Sequence, residues 1–444
     1  MELEDRENKM KNLTEGNTYK NLILFSLPIL FGNLLQLTYN AVDSVIVGKY
    51  AGEIALAAVG ISNPIMSILI LGASGVSIGA SAYTGKCYGA GKKEELKKAF
   101  ASVLIIGIIM SAVIMIPGFW LTETVLNMMQ VPKEALMISE VYLRIILLSF
   151  PFTFLYNIIT AVVRSVGDSK TPIYFLALSC GINVLLDLIL VGQYQFGAAG
   201  AGIATLLAEM IACILCVIYI YKKMPILSLK KEDWKFDKKA GKMVLSNGGV
   251  TAFQQFMQPI GKVLIQGCMD KYGISVIAAF NAVNRIDDFA CIPEQSISHA
   301  MMNYISQCDG AGKDGKKKEG FRKGMILELI YGVLIFGVVY IFRSRIIRIF
   351  GGGRMAEIGE SYLGVIAIFY ILPGITNGIQ GYFRGIQKMK ITLISTCIQI
   401  TLRVLAVYSL TPLYGMNGAA YACAIGWSVM IVYQMIMVWK YQKK

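Results

Sequence analysis

The amino-acid sequence predicts an all-α polytopic membrane protein with twelve transmembrane helices in two parallel-repeat six-helix lobes. Of its 444 residues, 55% are hydrophobic and only 16% are charged, whereas soluble proteins average about a quarter charged. The apolar residues form continuous runs that are long enough to cross a bilayer as helices. They do not alternate with polar residues, as the strands of a membrane β-barrel do.

The second half of the sequence repeats the first at an offset of about 220 residues. The segment YTGKCYGAGK at Tyr83–Lys92 returns as YISQCDGAGK at Tyr304–Lys313, and Arg164 returns as Arg384. A doubled, strongly apolar chain is typical of transporters whose substrate site lies between two halves.

Each predicted span is an apolar segment that is bounded by polar connections. The twelve predicted spans are roughly 21–48, 53–84, 97–119, 138–164, 170–192, 199–221, 240–269, 274–306, 323–343, 360–384, 390–411 and 416–439. We therefore expect a cytosolic tail at 1–20, an N-lobe at 21–221, a cytosolic linker at 222–239, a C-lobe at 240–440 and a tail at 441–444. With six spans per lobe, both repeats begin on the same side of the membrane, and the lobes are related by an axis along the membrane normal.

The basic residues predict a cytosolic location for both termini. Of the 42 Lys and Arg residues, 31 lie in the tails and connections on one side of the predicted spans, and 8 lie on the other side. Basic residues concentrate on the cytoplasmic side of membrane proteins. The first residues contain no short apolar core with a cleavage site, so they are interpreted as a tail and not as a signal peptide. The net charge of +14 is thereby assigned to the inner surface of a membrane, and not to nucleic-acid binding.

The sequence gives no indication of an enzyme or a resident cofactor. The nine cysteines lie mostly within apolar runs, without the spacing of metal ligands. Gly89-Ala-Gly91 and its repeat are short turns and not nucleotide-binding loops, and no nucleophile triad is present.

Asp43 and Asp187 are the foremost functional candidates, because ionisable residues within apolar spans are costly and usually functional. Asn183 lies four residues before Asp187 and shares its helix face. A carboxylate in a poorly solvated pocket can bind a proton near neutral pH. Two carboxylates with amide and hydroxyl oxygens could instead hold Na⁺. The alternative is an interhelical hydrogen bond that only stabilises the bundle.

Equivalent positions of the two repeats differ in charge. Asp43 aligns with Lys262, and Asn183 aligns with Arg403. Because the acids lie in the first lobe and the bases in the second, we expect the cation site in the first lobe alone. Lys262 and Arg403 either line a second-lobe cavity or neutralise acids.

Span eight contains two secondary candidates for proton coupling. Glu294 follows Pro293, a helix-breaking residue, and His299 is the only histidine of the chain. Histidine titrates near physiological pH, although a lone histidine in a helix bundle is more often a packing residue.

The remaining intramembrane acids are expected to have structural roles. Asp287 and Asp288 follow Arg285 and are expected to pair with it. Glu209 and Glu328 each stand alone among apolar neighbours, which favours helix packing or a hydrogen bond within the bundle.

At these residues the chain resembles the multidrug and toxic compound extrusion (MATE) family, over essentially its whole length. The resemblance rests on Pro28 and Asp43 with Val-Ile-Val-Gly in span one, the Gly-Ala-Gly loop after span two, Arg164-Ser-Val-Gly-Asp168 after span four, Asn183-x-x-x-Asp187 in span five, and Gly197–Thr205 opening span six. It implies a V-shaped bundle and a monomeric antiporter. Such proteins export amphipathic, often cationic compounds by alternating access, driven by H⁺ or Na⁺.

The resemblance also implies individual residue roles. The polar cluster that carries coupling in the family maps onto Tyr39, Asp43, Asn157, Asn183, Asp187 and Thr205, of which Asp43, Asn183, Asp187 and Thr205 could hold Na⁺. Pro28 matches a proline at which the first helix bends, and a proline within a helix permits a kink. Some members carry acids in spans seven and ten. Neither span has one here, so a second-lobe cation site of that type is not expected.

Two alternatives to drug efflux stay open at this point. The first is a flippase for a lipid-linked oligosaccharide or peptidoglycan precursor, whose pyrophosphate Lys262, Arg285 and Arg403 could bind. The second is a channel or membrane receptor scaffold, which the repeat symmetry disfavours.

Overall fold

The computed structural model describes residues 12–443, and this part of the chain is helical, without β-strands. The helices are α1 Thr18–Gly89, α2 Lys93–Met128, α3 Lys133–Ser165, α4 Thr171–Asp187, α5 Gly197–Lys223, α6 Lys238–Met269, α7 Ile274–Gly310, α8 Asp314–Arg348, α9 Gly353–Ala367, α10 Ile371–Gly385, α11 Met389–Tyr414 and α12 Asn417–Gln442. The predicted tail residues 1–11 and 444 lie outside the described residues.

These helices provide the twelve predicted spans. Helix α1 contains two of them, separated at Gly52, whose φ of 85° is readily adopted only by glycine. Helices α9 and α10 form one span through the 3₁₀ turn Ile368–Tyr370. By length and composition, nine segments of the described chain can cross a membrane, counting α1 once. Helices α6 and α7 are long enough but are not among these nine. The prediction of an all-α membrane protein is confirmed.

Contacts divide the chain into two compact units. The first contains Leu27–Gly249, and the second contains Leu13–Ser26 together with 250–443. The first turns of α1 thus belong to the second unit, and the first turns of α6 belong to the first. The lobe boundaries given above stay a prediction.

Aromatic and aliphatic side chains of α2 and α3 form the core of the first unit. Phe150 and Phe154 stack with their ring centroids 5.6 Å apart. Leu227 and Leu229 of the loop between α5 and α6 are also buried in this core. This loop, predicted to be a linker between lobes, is therefore packed onto the first unit.

The start of the described chain is bound to the α7–α8 turn within the second unit. The Leu13 N–H donates to Gln307 Oε1 at 3.0 Å, and Lys313 Nζ donates to Thr14 Oγ1 at 3.0 Å. One turn further, Thr18 Oγ1 donates to Glu319 Oε1 at 2.9 Å. These hydrogen bonds explain why the beginning of α1 belongs to the second unit.

Candidate functional site

The six polar residues singled out by the resemblance all lie in the first unit, on four helices. Tyr39 and Asp43 are on α1, Asn157 is on α3, Asn183 and Asp187 are on α4, and Thr205 is on α5. Five of them come together. The sixth, Asn157, donates from Nδ2 to the Thr153 carbonyl of its own helix at 2.9 Å.

The two acids form the centre of this cluster. Asp43 is 9% exposed and Asp187 is fully buried, and their carboxyl groups lie within hydrogen-bonding reach of each other. Asp43 Oδ1 and both Asp187 oxygens meet no protein donor. Two adjacent carboxylates repel each other, and a buried oxygen without a donor is costly. The pair therefore requires a bound proton or cation.

A short chain of neutral polar groups lies beside the acids. Asn183 Nδ2 donates to Thr205 Oγ1 at 3.3 Å, and the Tyr39 hydroxyl lies near the same Thr205 side chain. Asn183 Oδ1 has no donor. Together with the carboxyl oxygens it supplies the hard oxygen ligands that suit Na⁺, or acceptors for protonated acids. No group of three or more His, Cys, Asp or Glu that could hold a metal occurs in residues 12–443.

The backbone changes its helical geometry immediately after Asp187. Residues Leu188–Gln193 form a π-helical stretch, in which the Tyr194 N–H donates to the Ile189 carbonyl at 2.9 Å. Such stretches are rare within helices and occur frequently at functional sites. No residue pattern in the sequence indicated this one.

Apolar side chains enclose the acids. Ile46 and Val47 of α1, Val191 of the π-helical stretch and Tyr142 of α3 are buried in one cluster around this part of the unit. These surroundings exclude water and strengthen the electrostatic interactions of the acids.

Glu209 is a neighbour of the cluster that the sequence analysis did not assign to it. It lies one turn after Thr205 on α5, in the neighbourhood of the Tyr39 hydroxyl. The spacing of four residues between Thr205 and Glu209 was a signal available in the sequence.

Pro28 lies outside the cluster. It precedes Asp43 by fifteen residues of continuous helix, which at 1.5 Å per residue is about 22 Å. The backbone of α1 departs from helical geometry only at Gly52 and not at Pro28. Any effect of Pro28 on the acids therefore acts through the helix itself.

The charged residues of the second unit are paired differently from the prediction. Asp288 Oδ1 accepts from Lys262 Nζ at 2.8 Å, and Asp287 accepts from the Tyr370 hydroxyl. The expected pairing with Arg285 is wrong, because Lys262 on α6 and Tyr370 reach these acids instead. Lys262 thus neutralises an acid, one of the two roles considered for it.

The other candidates of the second unit have separate surroundings. Glu294 is 1% exposed and accepts from Asn377 Nδ2 at 3.4 Å. Arg403 Nε is buried without a partner, and His299 is half-buried on α7. In place of acids, α6 and α10 contribute amides: Gln254 Nε2 donates to Gln380 Oε1 at 2.8 Å.

Comparison with known proteins identifies the family. The sequence profile of the MatE family matches residues 28–189 and 251–409, which is more than half of the chain. The chain belongs to the MATE family. It is therefore a multi-spanning bacterial membrane protein of the inner membrane and a transporter of small molecules.

Relatives of this MATE transporter are similar over most of their length. The probable multidrug resistance protein YpnP of Bacillus subtilis is 28% identical over 397 residues, which cover 88% of this chain and 87% of the relative. The multidrug export protein MepA of Staphylococcus aureus is 20% identical over 437 residues, covering 98% and 96%.

Solved structures share the fold. A MATE transporter in the bent conformation superposes with a TM-score of 0.92 at 21% identity, covering 97% of each chain. An outward-facing multidrug resistance MATE transporter superposes with a TM-score of 0.91 at 21% identity, covering 97% of this chain and 98% of the other.

Proposed function

We propose that this MATE transporter is a secondary active antiporter that exports amphipathic, cationic organic compounds in exchange for H⁺ or Na⁺ by alternating access. The observation that carries the proposal is the buried Asp43–Asp187 pair, whose carboxyl oxygens face each other without a protein donor. Such a pair of carboxylates is more stable with a bound positive ion than without one.

The coupling follows from the charge of the pair. When a proton or Na⁺ enters from outside, it neutralises the acids and weakens the attraction for a cationic substrate, which is released. When the ion leaves to the cytosol, the negative charge returns and a new substrate binds. An ion can drive this cycle only if it binds the two conformations with unequal affinity. The π-helical stretch after Asp187 is a place where the backbone can alter the pocket between them.

Asn183, Thr205 and Tyr39 position the acids in this proposal. The hydrogen bond from Asn183 Nδ2 to Thr205 Oγ1 leaves Asn183 Oδ1 directed to the ion. Asn157 is assigned a supporting role on α3, and Pro28 a role in bending α1, both by family resemblance alone.

The proposal includes a monomer with both termini in the cytosol. The orientation is supported by the distribution of Lys and Arg along the sequence. Drug export is supported by the descriptions of the relatives as multidrug resistance and multidrug export proteins.

The flippase alternative is weakened by the pairing of Lys262. A pyrophosphate group would need free basic side chains, but Lys262 is bound to Asp288 at 2.8 Å, and both side chains are half exposed.

Transport by the purified, full-length protein in proteoliposomes tests the proposal. A fluorescent cationic dye is loaded, and a pH gradient, a Na⁺ gradient or no gradient is imposed. Dye efflux under one gradient identifies the coupling ion and supports the antiporter. Dye movement that is independent of both gradients, or movement of a labelled lipid-linked sugar without dye efflux, contradicts it.

A further inference from the structure

Two buried carboxyl groups of the second unit meet on one face of α10. Glu294 of α7 is 1% exposed and Glu328 of α8 is fully buried. A Cβ atom on Gly374 would lie 3.6 Å from Glu294 Oε1, and one on Gly378 would lie 3.3 Å from Glu328 Cγ. The absence of side chains at these two glycines, one helical turn apart, creates the space in which the acids lie.

Glu328 has no partner for its charge. Both of its carboxyl oxygens are buried and meet no hydrogen-bond donor. Glu294 has a single long hydrogen bond, from Asn377 Nδ2 at 3.4 Å. Neither acid forms an ion pair in the described part of the chain.

The groups around this acid pair carry no positive charge. From α7 the pair faces the carboxyl of Asp287 and the thiol of Cys291, and from α8 it faces the hydroxyl of Tyr331. The Tyr331 hydroxyl is already bonded, because it donates to the Ala290 carbonyl at 2.9 Å. The neighbouring residue on α10 is the neutral Asn377.

The equivalent positions of the first repeat carry no acids. In the register that aligns Tyr83 with Tyr304, Glu294 corresponds to Ala73 and Glu328 corresponds to Gly107. Both first-unit residues are small and buried in the helix packing. The fold therefore needs no carboxyl group at either position.

Physical chemistry restricts what these acids can bind. An uncompensated buried carboxylate is so costly that the group takes up a proton instead. Asn377 presents an amide nitrogen to Glu294, and this donor group is not a sodium ligand. A proton needs only the carboxyl oxygens themselves.

The helix that covers the pair has an irregular segment. Just before Gly374, the 3₁₀ turn Ile368–Tyr370 interrupts the path from α9 to α10. Short 3₁₀ stretches within long helices often mark hinges. A movement of α10 at this turn would change the access of water to both acids, and so their ability to retain a proton.

We propose that Glu294 and Glu328 form a second proton-binding site, in the second unit, that is loaded and emptied during the transport cycle. This inference rests on the proposed antiport function and extends it, because the transporter then moves one more ion per cycle than the Asp43–Asp187 pair alone accounts for. It departs from the sequence-based expectation of an ion site in the first lobe only.

Infrared spectroscopy of the purified full-length protein tests proton binding without any transport. Protonated and ionised carboxyl groups absorb at different frequencies, so their populations can be followed between about pH 5 and about pH 9. We expect the pH-dependent carboxylic acid absorption of the wild-type protein to contain a component that is absent from Glu328→Gln, while the contribution of the Asp43–Asp187 pair remains in both proteins. The matched control Glu209→Gln removes a first-unit glutamate and retains that component.

A second readout measures the ratio of ions to dye. At equilibrium, an imposed pH difference is balanced by a ratio of dye concentrations across the membrane. For each unit of pH difference, this ratio should be about tenfold smaller in Glu328→Gln than in the wild-type protein, because one fewer proton is exchanged per dye molecule. If Glu328→Gln does not fold, Glu294→Gln is used, and it should shift the pH at which the Glu328 signal changes.

The outcomes separate this inference from the proposed function. A carboxylic acid signal that is insensitive to pH, or one that is unchanged in Glu328→Gln, would show that the acids are permanent packing groups and would overturn the inference. Absence of dye transport with a pH-dependent Glu328 signal would overturn the antiport proposal while leaving the proton site in place.

Discussion

The crossing of α1 and α6 in the first unit depends on two glycines in contact. A Cβ atom on Gly79 would lie 2.6 Å from the backbone nitrogen of Gly248, and a Cβ atom on Gly248 would lie 2.9 Å from Val76 Cα. Because these neighbours are backbone atoms, they cannot rotate away, and the helices must separate by about 1 Å to reach ordinary contact. Overpacking of this kind costs about 1–3 kcal/mol. Gly248→Ala should therefore be about 1–3 kcal/mol less stable than the same substitution at the neighbouring Gly249, because both variants share the gain in helix propensity.

The adjacent residue supplies a matched control. A Cβ atom on Gly249 would meet nothing within 4 Å, and alanine is favoured over glycine inside a helix by about 1 kcal/mol. Gly249→Ala should therefore be neutral or stabilising. Thermal unfolding of both variants in the same detergent measures the difference. Equal stability of Gly248→Ala and Gly249→Ala would refute the close approach of α1 and α6.

Two further substitutions test the polar contacts of the second unit. Gln254→Leu removes a buried amide that forms hydrogen bonds with Gln380 at 2.8 Å and with Thr392 at 3.0 Å. The substitution should lower the free energy of unfolding by about 1–3 kcal/mol. An unchanged midpoint of thermal unfolding would contradict the importance of these hydrogen bonds. Lys262→Gln breaks only the half-exposed pair with Asp288 and should change stability by less than about 1 kcal/mol. In proteoliposomes it should leave dye efflux intact, and loss of efflux would show that Lys262 has a role in transport.

Much of the fold could be predicted because it is encoded locally. Long apolar runs predict the spans, and the repeat of Tyr83–Lys92 at Tyr304–Lys313 predicts that the two halves of the chain have the same fold. Asp43 and Asp187 could be singled out because a charge inside an apolar run is conspicuous on its own. Their adjacency is a result of the structure, which brings α1 and α4 together.

The features that escaped prediction depend on partners distant in sequence. Asp288 was expected to pair with the nearby Arg285, but the structure brings Lys262 to it from another helix. Glu328 was interpreted as a packing residue, and only the three-dimensional contacts show that its carboxyl group has no donor. The π-helical stretch after Asp187 likewise has no residue pattern in the sequence that indicated it.

Ion-driven dye efflux by Asp43→Asn is the most direct test of the central claim, that the Asp43–Asp187 pair couples ion entry to substrate export. Asparagine has about the same size as aspartate, but its side chain is neutral, so it neither takes up a proton nor attracts a cation by a negative charge. The control Asp288→Asn removes a half-exposed acid of the second unit. We predict that Asp43→Asn inserts and folds normally but loses gradient-driven efflux, while Asp288→Asn transports like the wild-type protein. Wild-type efflux by Asp43→Asn under the same gradient would contradict the account.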